Sequence, residues 1–165
     1  MSSEVKLPRG LRNNNPLNIR LSKDRWQGQI APSLSGNRGI VAIGELCDGG
    51  QRAGGEASFC QFETMAYGWR AAFRLLCNTY YKKYGLRTIR AIINRWAPPN
   101  ENGTLAYIRS VAERTGISAD KELGDPATHA AQWLMIGMAM AIVENGTTNQ
   151  DYLSMLKGYS LAMGE

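Results

Sequence analysis

From Trp133 to Val143 the chain reads W-L-M-I-G-M-A-M-A-I-V, with no polar side chain on any face of a helix. A surface helix needs only one apolar stripe, whereas a run that is apolar all round must be wrapped by other elements. The run is well short of the roughly 20 residues that cross a bilayer. It therefore predicts a central helix, wrapped on every side and the most buried element of the fold. Asp125 is a good N-cap, Pro126 suits the first helical position and Asn145-Gly146 supplies a left-handed stop. Together they predict a helix of about five turns over 126–144, with His129 early in it.

The first charge after the apolar run is Glu144. A carboxylate in a last helical turn meets the negative end of the helix dipole, and partial burial strips its hydration; both raise its pKa. Those are a general acid's conditions. The plainer reading is that Glu144 marks where the buried helix surfaces.

At 165 residues, 44% hydrophobic and 20% charged, the chain has the length and composition of one folded domain with a sizeable core. A net charge of +5 favours polyanionic partners such as nucleic acid, anionic lipid or bacterial cell wall. The basic residues are dispersed, so no nucleic-acid groove is expected. Cys47, Cys60 and Cys77 lack metal-ligand spacing, and the single histidine, His129, reads as a helix-face residue, which argues against a zinc site or a Ser-His-Asp triad. No metal and no cofactor are expected. The first residues lack an apolar export core, so the expectation is synthesis in the cytoplasm without a signal peptide.

Four Asn and a Pro within Gly10 to Arg20 are turn chemistry. Their amides tie backbone together or read sugar substituents. Seven glycines between Gln29 and Phe62 break up short apolar pieces, which predicts a small β-hairpin region within 17–62, ahead of a helical region over 63–165. Thr64 caps a helix with Trp69, Ala72, Phe73, Leu76, Tyr80 and Tyr84 as its core stripe and Gly85 as its stop. Thr88 caps a second, with Ile89, Ile92, Ile93 and Trp96 inward before Pro98-Pro99. Thr104 caps a third, with Leu105, Ile108, Val111 and Ala112 on its apolar face. Tyr152, Leu153, Met155, Leu156 and Tyr159 predict a last helix packed on the bundle.

The pieces R-G-L-R-N-N-N-P-L-N-I-R, F-C-Q-F-E-T-M-A-Y-G-W-R-A, T-I-R-A-I-I-N-R-W-A-P-P-N-E-N-G and I-V-E-N-G resemble a group of small phage and prophage proteins, some labelled virion structural proteins and some cell-wall hydrolases. Leu17 departs from that group, which more often has Gly there, and the stretch from Ser33 to Ser58 is longer. A second resemblance is to autolysin-type glucosaminidases of lysozyme-like fold. A-I-V-E-N-G is similar to their glutamate-bearing helix end, N-N-P-L-N-I-R to their next loop, and F-C-Q-F-E-T-M-A-Y-G-W-R-A to their following helix. Here the glutamate helix stands last instead of first, the order a circular permutation produces.

That second resemblance implies an α+β, predominantly α, lysozyme-like fold in circularly permuted order, and peptidoglycan as substrate. Glu144 would protonate the leaving oxygen of a glycosidic bond. A second carboxylate would come from Glu45, Asp48 or Glu56, or the sugar's own N-acetyl or 6-hydroxyl group would attack. Asn14, Asn15, Trp26 and Tyr67 are candidate walls of a sugar cleft, serving equally well as core. Glu101 faces a cleft or accepts backbone hydrogen bonds. The alternative is a non-catalytic virion structural or cell-wall-binding module, with other virion proteins as partners and the virion or the cell wall as destination.

Overall fold

The computed structural model describes residues 7–31, 59–99 and 103–164. The protein is predominantly helical. A short α1 (Arg9–Arg12) opens the described chain. The helices α2 (Met65–Phe73), α3 (Ile89–Trp96), α4 (Thr104–Thr115), α5 (Ala130–Asn145) and α6 (Tyr152–Met163) follow. Two isolated antiparallel bridges, Arg20 with Phe59 and Gln29 with Phe62, are the β-pairing among the described residues. The Gly-rich stretch between them, with Glu45, Asp48 and Glu56, lies outside the described residues, as do Glu101 and Asn102.

Thr64 and Thr88 cap α2 and α3 as expected, each hydroxyl accepting from the backbone N–H three residues on. From Arg74 to Lys83 the α2 helix continues as a wider, π-helical turn, closed where the Tyr84 amide donates to the Thr79 carbonyl and Gly85 adopts φ +68°. Widening changes which side chains face inward. An α-helical stripe points Tyr80 and Tyr84 at the core, but here Tyr81 is buried against Trp133, Tyr80 is half-buried and Tyr84 is exposed.

The central helix starts later than predicted. Asp125 caps a turn instead of the helix: its side chain accepts from the Ala127 amide, and its carbonyl from Thr128 and His129. A helix beginning at Pro126 would need that residue's carbonyl for Ala130, yet the buried Tyr159 hydroxyl donates to it at 2.7 Å. The helix therefore begins at Ala130, with His129 just outside. Nor is it the most buried element. Eight of the sixteen α5 residues are buried and Met135 is exposed, whereas seven of the nine in α2 are buried. Small residues explain the difference: Gly158 of α6 sits so close to α2 that a Cβ there would lie 2.4 Å from Trp69 Cβ, and α2 is enclosed as a result.

Three further assignments change. Gly103, not Thr104, precedes α4, and the Thr104 hydroxyl donates to the Ala97 carbonyl. Leu105 is exposed and Tyr107 takes the inward position with Ile108 and Val111. On α6, Leu153 and Leu156 are exposed while Met155, Gly158, Tyr159 and Ala162 are buried.

The Asn-rich loop is built around its own amides. Asn15 is fully buried; its Nδ2 donates to the Ile19 and Cys60 carbonyls, both at 3.0 Å, and its Oδ1 accepts from the Ile19 amide at 2.8 Å. Asn14, at φ 52°, donates to the Phe62 carbonyl. Asn15→Ala leaves one amide and two carbonyls without these partners, and should cost on the order of 2 kcal/mol in a urea melt.

Candidate functional site

Glu144 stands one residue before the end of α5, which Gly146 closes in the left-handed conformation. The end of this helix meets the Asn-rich loop: Asn145 Nδ2 donates to the Pro16 carbonyl, and Asn18 Nδ2 to Glu144 Oε1, both at 2.9 Å. The loop turns sharply enough to present Asn18 because that residue adopts φ 53°, which Asn tolerates better than most side chains. On the other side α4 packs on α5 and brings the Tyr107 hydroxyl to donate to Glu144 Oε2 at 2.9 Å. Trp96, at the end of α3, lies close enough to favour the Glu144 carboxylate as well.

These elements enclose a cleft of about 670 Å³ with Glu144 in its wall; Tyr107, Trp96, Asn18, Arg20 and Phe59 also line it. Burial raises the Glu144 pKa above its ordinary 4.5, against the donors Asn18, Tyr107 and Trp96 and the charge of Arg20, all of which favour the carboxylate. The Tyr107 hydroxyl is raised well above 10, first by its own burial and then by the neighbouring carboxylate, so it remains a neutral donor. The arrangement fixes a carboxyl whose neutral form is favoured by burial at the wall of an open cleft, with donors placed for the carboxylate that proton transfer would leave.

Tyr107→Phe removes a donor that favours the ionised form. The Glu144 pKa should therefore rise further, shifting its midpoint upward in an NMR titration of a carboxyl-labelled sample. A midpoint that stays still or falls would show that this hydrogen bond does not tune the acid.

Among the described residues lining the cleft, Glu144 is the one carboxylate. Asn14, Asn15, Trp26 and Tyr67 do not line it. Asn15 has no exposed surface to offer a ligand, and the Tyr67 ring packs against Gly28, whose φ of +78° and missing Cβ make room for it. The amide that reaches the acid is Asn18 instead, legible in the sequence only as one more Asn of the loop. Tyr107 carried no sequence signal, because only the packing of α4 on α5 brings it to Glu144. Cys60 and Cys77 are buried, their thiols pushed up to about 12 by desolvation, which makes them poor nucleophiles. No group of side chains among the described residues is arranged to hold a metal ion, and no described helix is long and apolar enough to cross a membrane.

Fold and site together define a predominantly helical protein in which, among the described residues, one sheltered glutamate is set in an open polar cleft. No family model matches the chain. Over 154 residues, 92% of this chain and 79% of the relative, it is 38% identical to Protein P5 of Pseudoalteromonas phage PM2, and it belongs to the family of that phage protein.

Proposed function

We propose that this protein cleaves the glycan strands of bacterial peptidoglycan, with Glu144 as the general acid, on a lysozyme-like scaffold whose segments run in permuted order. The observation that carries the reading is Glu144 itself: a carboxyl with a raised pKa, fixed by Asn18 and Tyr107 at the wall of a cleft. The junction of the Asn-rich loop with the glutamate helix end supports the permuted order, since residues 126 positions apart meet there.

In this mechanism Glu144 donates its proton to the glycosidic oxygen as the bond to C1 breaks, and the sugar takes on oxocarbenium character. Asn18 and Tyr107 then stabilise the Glu144 carboxylate that remains. With one carboxylate among the described cleft residues, the route that asks least of the protein is attack on C1 by the sugar's own 6-hydroxyl. Its proton returns to Glu144, and the product ends in a 1,6-anhydro ring. Attack by water would call on Glu45, Asp48 or Glu56.

Digestion of purified peptidoglycan followed by mass analysis tests this. Anhydro-ended muropeptides are the expected product, and reducing ends would point to hydrolysis. Kinship with a phage protein also favours a second reading, a virion structural or wall-binding module that keeps the cleft without turnover. Wall binding without any muropeptide release would select it.

A further inference from the structure

The cleft wall near Glu144 is cationic. Arg9 begins α1, and Arg20 is held in place by its bridge to Phe59 and by the bond from the Cys60 amide to the Ile19 carbonyl. Both guanidiniums lie against the Phe59 ring, at 4.5 Å and 5.0 Å from its centroid, and all three side chains line the cleft. Phe59 is itself buried, so it is a fixed platform. Stacking on a ring holds the guanidinium plane while its N–H edge stays suited to a carboxylate, whose two oxygens match the guanidinium fork. Two guanidiniums on one ring give this wall of the cleft a local positive potential, which attracts an anionic substituent and is indifferent to a neutral polysaccharide.

Resting on the glycan-cleaving reading above, we propose that Arg9 and Arg20, stacked on Phe59, bind carboxylates of the lactyl-peptide substituents on the glycan, so that the cleft selects acid-substituted strands over uncharged N-acetylglucosamine polymers. Occupancy also acts on the acid. The charge of Arg20 is the least of the influences that draw the Glu144 pKa down, and an anion at Arg20 offsets that pull. Substrate entry thus favours the protonated carboxyl that catalysis needs.

Binding is measured by calorimetry on the Glu144→Gln protein, so that turnover plays no part. The probes are a disaccharide-tetrapeptide muropeptide, the same molecule with its stem carboxylates amidated, a peptide-free disaccharide with a free lactyl carboxylate, and chitotetraose. The free-acid muropeptide is expected to bind about tenfold more tightly than chitotetraose, with the gap shrinking as salt rises. Loss of the gap on amidation assigns the stem as the source of the carboxylate; a gap kept by the peptide-free disaccharide assigns the lactyl group. Adding Arg9→Ala and Arg20→Ala should close the gap, and Arg9→Lys with Arg20→Lys should restore part of it, with melting curves confirming that each variant folds. Equal affinity for charged and uncharged probes, a gap untouched by the alanine pair, or no binding of any probe overturns the proposal. Muropeptide release by the wild-type protein decides the glycan-cleaving reading separately.

Discussion

Glu144→Gln is expected to reduce muropeptide release by on the order of 10²- to 10⁴-fold, the range for loss of a general acid, while the protein melts no lower than wild type at neutral pH. Gln keeps the size of the side chain, still accepts from Asn18, and faces a Tyr107 hydroxyl that can rotate from donor to acceptor. The stability half follows from linkage. Burial raises the Glu144 pKa above 4.5, so the folded protein holds this proton more tightly than the unfolded chain. The stabilisation from that proton is complete below about pH 4.5 and is lost as pH climbs through the folded pKa, above which a charged carboxylate stays sheltered. The neutral variant escapes that loss, so its melting temperature relative to wild type should improve as pH rises above about 4.5. Equal release by the two proteins would remove Glu144 from the mechanism.

Gly68→Ala is expected to be the most damaging small substitution in the fold, at or beyond the ~3 kcal/mol upper end of ordinary overpacking. A Cβ at residue 68 would lie 1.9 Å from the Asn14 carbonyl oxygen and 2.9 Å from Pro16 Cδ, so backbone must move. The backbone that moves belongs to the loop that presents Asn18 to Glu144, and turnover should fall along with stability. Gly85→Ala is the comparison. That residue has φ +68° but nothing within 4 Å of the added atom, so the variant carries only the left-handed penalty of about 1 to 2 kcal/mol. Urea midpoints of the two variants test the packing. If Gly68→Ala costs no more than Gly85→Ala, the close approach of α2 to the loop is wrong.

Whatever rests on local chemistry could be read from the residues. Thr64 and Thr88 cap their helices and Gly85 stops one because a hydroxyl or a missing Cβ acts within three or four residues, whatever the rest of the chain does. The apolar run before Glu144 likewise predicted a largely buried helix with a carboxylate at its emerging end, and seven of its eleven residues are buried. Where neighbours compete, the local reading failed. Tyr159 takes the Pro126 carbonyl and delays the central helix by about one turn. The π-helical widening after Phe73 rotates Tyr81 inward in place of Tyr84.

The candidate site divides the same way. Glu144 stood out in the sequence as the one charge at the end of an apolar helix, and the Asn-rich loop stood out as a turn. The choice of Asn18 over Asn14 and Asn15, the hydroxyl of Tyr107 and the cationic wall of Arg9 and Arg20 came only with the tertiary structure. Each depends on side chains from separate elements reaching one point: Asn18 and Tyr107 are 126 and 37 residues from Glu144. Neither helical nor strand periodicity carries information over such distances. Burial and hydrogen-bond satisfaction, which belong to the packed molecule as a whole, decide which polar group meets the acid and which is spent on holding the backbone.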